Sequence, residues 1–570
     1  LKPIPLKGRL GLRVLEPMAL AVRQPGTDRS VSVQQGYTRE GLSYELSSKT
    51  DEQKALAITE LAAKGESFVT GHLDHLVAEL RRSYSPEVKE AVCKSVIAAG
   101  PSAAHFYQDL ANVIEDKDPQ VRYWGCLALG SLGTIAAGSK GRIRSLLQDP
   151  SEAVRFGACS ALGSMQADDC AADLKEQLSD SSPEVQGAAC LALAKVGAVG
   201  AAFAPAVAEK LAEPRSRANA LKALSLMGIE GGKHCKHVVE CLCDDDAETR
   251  VIAASTVGRM SDYVKDTPGV QNRILEIARD EDGRSRIAAM LALGYMGRSA
   301  SVHKELIQDG LFDGFEDDAD NALTQGGCRT RLPPACRKAR CAAAAALGRI
   351  AAEDQGFGWE TAAAQVARLL DEDDWEVKTC ALECLAALGP RARDHLEKVT
   401  GQLSDEVYIV RAKAASALGK IGDVESISLN KMADLLEDSC PAVKSAAALS
   451  LAELGDDGAE YSHKVFNLLV DISADVRAAA VTALSRMRDR GPHFASVIAQ
   501  RLREGEEPSV RIAAMEALCG LEERAMTFMD LIKEQQRDEV SSVREAARKC
   551  LERLGQSGYQ NSLQDGGDEE

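Results

Sequence analysis

The residues best suited to chemistry lie close together at His234, Cys235, His237, Cys241 and Cys243. Imidazole and thiolate are zinc-binding groups. On a helix, His234, His237 and Cys241 follow i, i+3 and i+4 steps and share a face. A structural zinc site also needs a fourth ligand and CxxC or HxxxH spacing, and the segment offers neither clearly. Cys328, Cys336 and Cys341 are placed no better. No metal is expected. The phosphate-cradling P-loop, the GxGxxG dinucleotide turn, the GxSxG elbow and HExxH are all missing. No catalytic residue and no cofactor are expected either.

The elements that must carry these residues repeat. Asp118-Pro119-Gln120-Val121-Arg122 is followed by Leu129, Leu132 and Gly133. Asp405 to Val410-Arg411 is followed by Leu418, Ile421 and Gly422, and Asp438 to Val443-Lys444 by Leu451, Leu454 and Gly455. Val88-Lys89, Val154-Arg155, Val377-Lys378, Val476-Arg477, Val510-Arg511 and Val543-Arg544 open the same phrase. Weaker copies start at Gln53-Lys54, Val185-Gln186, Ser216-Arg217, Thr249-Arg250, Ser285-Arg286 and Ala339-Arg340. The step is mostly 33 residues, within 31 to 38, except for 54 between Arg286 and Arg340.

Within one copy, apolar or small residues recur four, eight and eleven places after the Val, a narrow arc of a helix. A Gly twelve places on, as in Gly133, Gly197, Gly389 and Gly555, supplies a left-handed stop. A second amphipathic stretch lies upstream, for example Arg142 to Leu147, and an Asp/Ser/Pro turn joins the two. One helical pair cannot bury its own apolar face, so the pairs must stack. The expected fold is all-α: a curved superhelical solenoid of about fifteen helical hairpins, on the order of 150 Å long at ~10 Å per layer.

The phrase Asp-x-x-x-Val-Arg-x-x-Ala-x-x-x-Leu-x-x-[Leu/Ile/Met]-Gly resembles the HEAT-repeat family, especially its short version known from phycobilisome-lyase-like proteins. The resemblance covers roughly residues 51–555 and speaks to fold rather than function. The Trp/Leu-Gly/Tyr/Pro phrase of tetratricopeptide arrays and the Thr-Pro-Leu-His phrase of ankyrins are missing, and 33 residues leave no room for a third, armadillo-type helix. Among HEAT-type enzymes, the deoxyhypusine hydroxylases hold iron with His-Glu pairs, and none of the nine His here precedes Glu. A bilin-lyase accessory role is the remaining enzymatic reading, but no distinct bilin pocket is legible.

Five segments are expected. Residues 1–50 form an extended basic arm whose Leu10, Leu12, Val14 and Leu15 suit docking. HEAT repeats fill 51–302 and 339–555, separated by an insertion loop at 303–338 that carries Phe312 and Phe315, and 556–570 is an acidic disordered tail. The basic residue after each Val forms a ladder: Arg122, Arg155, Arg250, Arg286, Arg340, Lys378, Arg411, Lys444, Arg477, Arg511 and Arg544. It could face an acidic ligand. The structural reading is preferred, because acids in the turns of successive layers can pair with it and the turn carbonyls need donors. The second helix of each pair is expected to line the concave face, where Tyr123, Trp124 and Phe156, with Leu127 and Leu191 nearby, form a candidate partner anchor.

Composition narrows the function. Aromatics make up only 4 % of 570 residues, which suits close helix pairs rather than a β-sandwich. The net charge is −18; residues 1–50 hold eight Lys/Arg and four Asp/Glu, a net of +4, so the remainder carries −22. Such a body repels phosphate backbones, so nucleic acid is not an expected partner. The sixteen Cys are scattered, as small hydrophobes of a reducing, cytoplasmic compartment. No run of eighteen apolar residues and no secretory leader is found. The expected role is a protein-binding scaffold in a large assembly, cytoskeletal and ciliary ones being settings that suit its length. The alternative is a transport or regulatory adaptor that captures basic cargo segments in an acidic concave groove. No oligomeric state is fixed.

Overall fold

The computed structural model describes residues 50–564 apart from 64–65, 281, 313–333, 355, 357, 488–492 and 504. Leu10, Leu12, Val14, Leu15 and Phe315 lie outside these residues. Every regular element among the described residues is helical, and all belong to one unit, Lys49–Glu570.

The fourth repeat shows how the sequence builds each layer. Lys140–Ser145 forms a short first helix that tightens into a 3-10 turn at Leu146–Gln148. Asp149 is extended, and a longer second helix runs Glu152–Ser164. Second helices start where donors are capped. Asp118 accepts the N–H of Gln120 and of Val121 at 2.7 and 3.3 Å, and Pro119 sits at the first turn, where no N–H is needed.

Among the described residues the second helices number fifteen, and units are counted by them. Units 1–8 are Asp51–Ala63, Pro86–Ala99, Pro119–Ser131, Glu152–Ser164, Pro183–Lys195, Pro214–Leu226, Ala247–Arg259 and Gly283–Tyr295. Units 9–15 are Pro334–Glu353, Trp375–Leu388, Tyr408–Ile421, Pro441–Glu453, Ala474–Arg486, Pro508–Cys519 and Ser541–Gln564. The Val that opens each strong phrase is fully buried, and so is the Leu eight places on in units 3, 4 and 10–14, such as Leu129 and Leu418; unit 2 carries the buried Val96 there, and Leu551 of the last unit is half-buried. Each such side chain contributes about 1.5–3 kcal/mol of transfer free energy. Cys93, Cys126, Cys159 and Cys190 take one equivalent position in units 2–5 and are buried there; burial pushes the Cys93 thiol up to about 12, so it packs as a neutral group.

Two sets of glycines fix the stacking. Gly133, Gly197 and Gly389 adopt φ of +60°, +85° and +57°, the left-handed reversal after the second helix. A second set lies nine places after the opening Val. A Cβ on Gly163 would sit 2.7 Å from the Ala192 Cα of the next layer, and one on Gly294 equally close to that of Ala346. Successive second helices therefore touch backbone to backbone.

Three boundaries differ from the sequence reading. The last helix runs through Gly555 to Gln564, so Gly555 is not a stop and 556–564 are helix rather than tail; no proline interrupts this stretch, and a helical Gly costs only about 1 kcal/mol. The insertion is narrower than 303–338. Lys304–Asp309 is the first helix of unit 9, anchored by the buried Ile307, and residues 334–338 already belong to its second helix. The extra residues therefore lie in sequence between the two helices of unit 9 rather than between two units.

Candidate protein-binding faces

The turn edge is a polar ladder. Arg122 donates to both carboxylate oxygens of Asp149 at 2.9 Å, and its other Nη reaches the carbonyls of Asp116 and Lys117 at 2.9 and 3.0 Å. Asp149 also accepts the Ser151 N–H at 2.9 Å. The pattern continues with Arg155–Asp180, Lys378–Asp405, Arg411–Asp438, Lys444–Asp471, Arg477–Glu506 and Arg511–Asp538. Arg340, fully buried, reaches Glu372 at 2.8 Å. These cations are consumed by the fold. Burial works to raise the Asp180 carboxyl, but the Arg155 bonds, the Ser182 N–H and Coulomb attraction outweigh it and hold the group below the usual carboxylate range.

Some rungs differ. In unit 5 the position is Gln186, whose amide nitrogen reaches the Asp180 carbonyl at 2.8 Å while its buried oxygen accepts nothing. Arg250 reaches the carbonyls of Asp244 and Asp245 but no carboxylate among the described residues. Arg286 reaches the Asp280 carbonyl at 2.8 Å, and Arg544, on the last layer, those of Asp538 and Glu539.

The second-helix face carries the aromatic group. Tyr123 stands edge-on to Trp124 at 5.1 Å between ring centres and 6.4 Å from Phe156. Its own ring is not open, being 9 % exposed. Gly157 makes that possible, since a Cβ there would press on the ring at 3.1 Å. Trp124, Leu127, Phe156 and Leu191 are half-buried, and the Lys94 ammonium lies 4.6 Å over the Trp124 ring. The face extends further than aromatics alone suggest. Val251, Ile252, Ile287 and Leu291 stand at matching positions of units 7 and 8, with Val251 49 % exposed, and Tyr295, 39 % exposed, lies one turn beyond Leu291 on the same helix. Unit 6, with Asn219 and Lys222 at those places, interrupts the apolar run. The repeat register marks these aliphatic residues, which carry no aromatic signature in the sequence.

Two exposed rings were also missed. Trp375 and Tyr408, 40 % and 48 % exposed, begin the second helices of units 10 and 11 on the acidic turn edge. They occupy the place taken by proline in units 3, 5 and 12, so position in the phrase again identifies them. Phe312 is half-buried with the Arg368 guanidinium 4.7 Å over its ring. Carboxylates gather on the turn edge, whereas the second-helix face mixes Lys94, Lys222, Arg259 and Lys413 with Glu90, Glu383 and Glu516.

The His/Cys cluster does not converge. The rings of His234 and His237 are 6.2 Å apart, Cys235 turns its thiol to Thr267, and no metal-competent group of three ligands occurs among the described residues. His234, His237 and Cys241 instead line a cleft of about 810 Å³ between the first helices of units 6 and 7.

A family model described as HEAT repeats matches residues 139–225, 364–429, 397–485 and 429–519. No curated protein matches the chain. Among solved structures, the Kap95:Nup1 complex is 15 % identical with a TM-score of 0.59, over 92 % of this chain and 79 % of that one. Importin beta in an ammonium sulfate condition is 14 % identical with a TM-score of 0.50, over 91 % and 84 %. The karyopherin Kap121p bound to the extreme C-terminus of the protein phosphatase Cdc14p is 14 % identical with a TM-score of 0.46; the match covers 92 % of this chain and 66 % of the length of that one. At such identities the likeness is one of fold. With HEAT repeats matched in both halves, the described residues form an all-α solenoid of the HEAT type.

Proposed function

We propose that this protein is a non-catalytic scaffold that holds protein partners against the second-helix face of units 3–8. One observation carries the reading: large apolar side chains, from Trp124 to Leu291, stand half-exposed at the second, third or sixth place after the opening residue in units 3, 4, 5, 7 and 8. Solvated apolar surface gathered on one face favours association. Trp124 and Phe156 are the anchors, since bulky rings dominate binding energy at protein interfaces. Kap95, in complex with Nup1, shares the fold. The setting we propose is a large assembly in a reducing cytoplasm.

The exposed Trp375 and Tyr408 among turn-edge carboxylates favour a second reading, an adaptor for basic segments. Salt separates the two. Attraction to an acidic edge is screened over a Debye length of about 8 Å at physiological ionic strength and shorter above it, whereas apolar docking is not. The test is gentle purification of the full chain from its native source, with mass spectrometry of co-eluting proteins. Partners should stay bound through about 0.5 M salt and be lost when Trp124→Ala is combined with Phe156→Ala. A chain that elutes alone and monomeric, or partners indifferent to both substitutions, would end the scaffold reading.

A further inference from the structure

The cleft between units 6 and 7 lies on the first-helix side, away from the face just described. It exists because small residues stand where other layers carry large ones. Cys241 begins the 3-10 turn of unit 7, a place filled by Leu146, Leu369, Leu435 and Leu468 in units 4, 10, 12 and 13. Pro205, Ala208, Leu211 and Ala212 line the opposing wall and leave the gap open. At about 810 Å³ the space is larger than one side chain.

The rim differs from the floor. Asp244 is committed to Arg217 of the layer before and to the Asp246 N–H. Glu240 is shared with Arg273. Glu209 and Asp245 are exposed and make no ion pair among the described residues. The imidazoles stand at the mouth, and burial, followed by the charge of His237, pushes the His234 pKa below its ordinary value, so that ring is neutral at pH 7. The outcome is an apolar floor below a rim with two carboxylates, Glu209 and Asp245, that make no ion pair among the described residues.

We infer that this cleft receives an apolar side chain of a partner protein whose neighbouring residues are Lys or Arg. The floor excludes water around the inserted group, and Glu209 and Asp245 meet the flanking cations. This rests on the protein-binding reading but uses a separate surface, so the two can fail independently.

The test uses the full chain and immobilised decapeptides with a central Leu or Phe flanked by Lys, by Glu, or with Ala at the centre. Lys-flanked Leu and Phe peptides should bind, and the Glu-flanked and Ala-centred ones should not. Ala208→Trp, which fills the cleft, should weaken binding at least about tenfold, as loss of an anchor pocket does. Glu209→Lys with Asp245→Lys should weaken it by about three- to tenfold, more at low salt. Trp124→Ala should leave it unchanged. Bound peptide should also slow alkylation of Cys243, exposed on the rim; this readout on the unaltered chain stands even if Ala208→Trp misfolds. Equal binding of Lys- and Glu-flanked peptides, no binding of either, or unaltered Cys243 alkylation overturns the inference. Loss of native partners in the Trp124 and Phe156 variants with peptide binding intact would leave the scaffold reading standing by itself.

Discussion

Units 10–14 and units 5–8 are built from one phrase yet hold themselves together differently. Between units 10 and 15 each turn cation grips a carboxylate of the next layer: Lys378–Asp405, Arg411–Asp438, Lys444–Asp471, Arg477–Glu506 and Arg511–Asp538. The outward places of their second helices hold mainly small or polar residues, among them Thr379, Ala412, Ser416, Ser445 and Thr482. Leu449 and Ile512 are isolated apolar exceptions. In units 5–8 the rung is a glutamine at 186 and stops at carbonyls at Arg250, with Arg217–Asp244 between them. There the outward places include Leu191, Val251, Ile252, Ile287 and Leu291, and the cleft opens. Of these two regions, the one clamped by charge presents the plainer surface and the one with more apolar surface lacks part of the clamp; units 3 and 4 have both, their rungs Arg122–Asp149 and Arg155–Asp180 standing beside Trp124 and Phe156. A repeat array couples each layer only to its neighbours, so a missing rung loosens one joint without unfolding the rest.

The widest gap between the regions should appear on cutting a rung. Arg411 donates to both Asp438 oxygens and to two carbonyls of its own turn, and the Asp438 side chain is only 9 % exposed. Arg411→Ala strands that carboxylate and should cost about 3 kcal/mol or more at the junction of units 11 and 12. Arg250→Ala removes only bonds to carbonyls and should cost about 1–2 kcal/mol. Amide hydrogen exchange, resolved by unit, reads both. Equal losses of protection would erase the contrast.

The sequence made this contrast half visible. The phrase specifies Val121, Leu129 and the left-handed Gly133 because a buried helical stripe and a reversal each demand a residue type. The basic position after Val is equally plain, and so are its gaps, since Gln186 stands in line with Arg155 and Arg217. The glycines nine places on, Gly163 and Gly294, were overlooked because a mid-helix glycine looks like a defect until the neighbouring Ala192 and Ala346 backbones are seen against it. Tyr123 read as exposed because its burial depends on Gly157 of another layer. The cleft was not legible at all. Cys241 stands out in the sequence for its ligand chemistry, whereas what matters is its small volume relative to leucines three and more layers away.

Acid should sharpen the comparison next. The hydrogen bond from Lys444 lowers the Asp471 carboxyl first and most, against burial, with help from the Ser473 N–H. At Asp438, burial works upward and is outweighed by Arg411 and the Cys440 N–H. A carboxyl lowered by folding stabilises the native state fully above its unfolded pKa, about 3.9. That stabilisation is lost as pH falls through the lower folded value. Units 11–13 should therefore keep their exchange protection from pH 7 to about 4 and lose it steeply below. Loss between pH 7 and 5 would assign the stability to other groups.

The smallest effect comes from repairing a joint. Glu213 follows Gln186 by the same 27 residues that separate Arg122 from Asp149, so Gln186→Arg can complete the rung. Glu213 already holds Lys210 at 2.7 Å and is 44 % exposed, so the gain should be about 1 kcal/mol, well below that of an interior rung. Exchange at the junction of units 5 and 6 should slow accordingly. If the open joint lets the apolar face adapt to what it binds, the same substitution should lower partner retention two- to threefold, about 0.5 kcal/mol, while leaving the fold intact. Unchanged retention at a stiffened joint would mean that the gap in the ladder and the apolar face share a location but not a purpose.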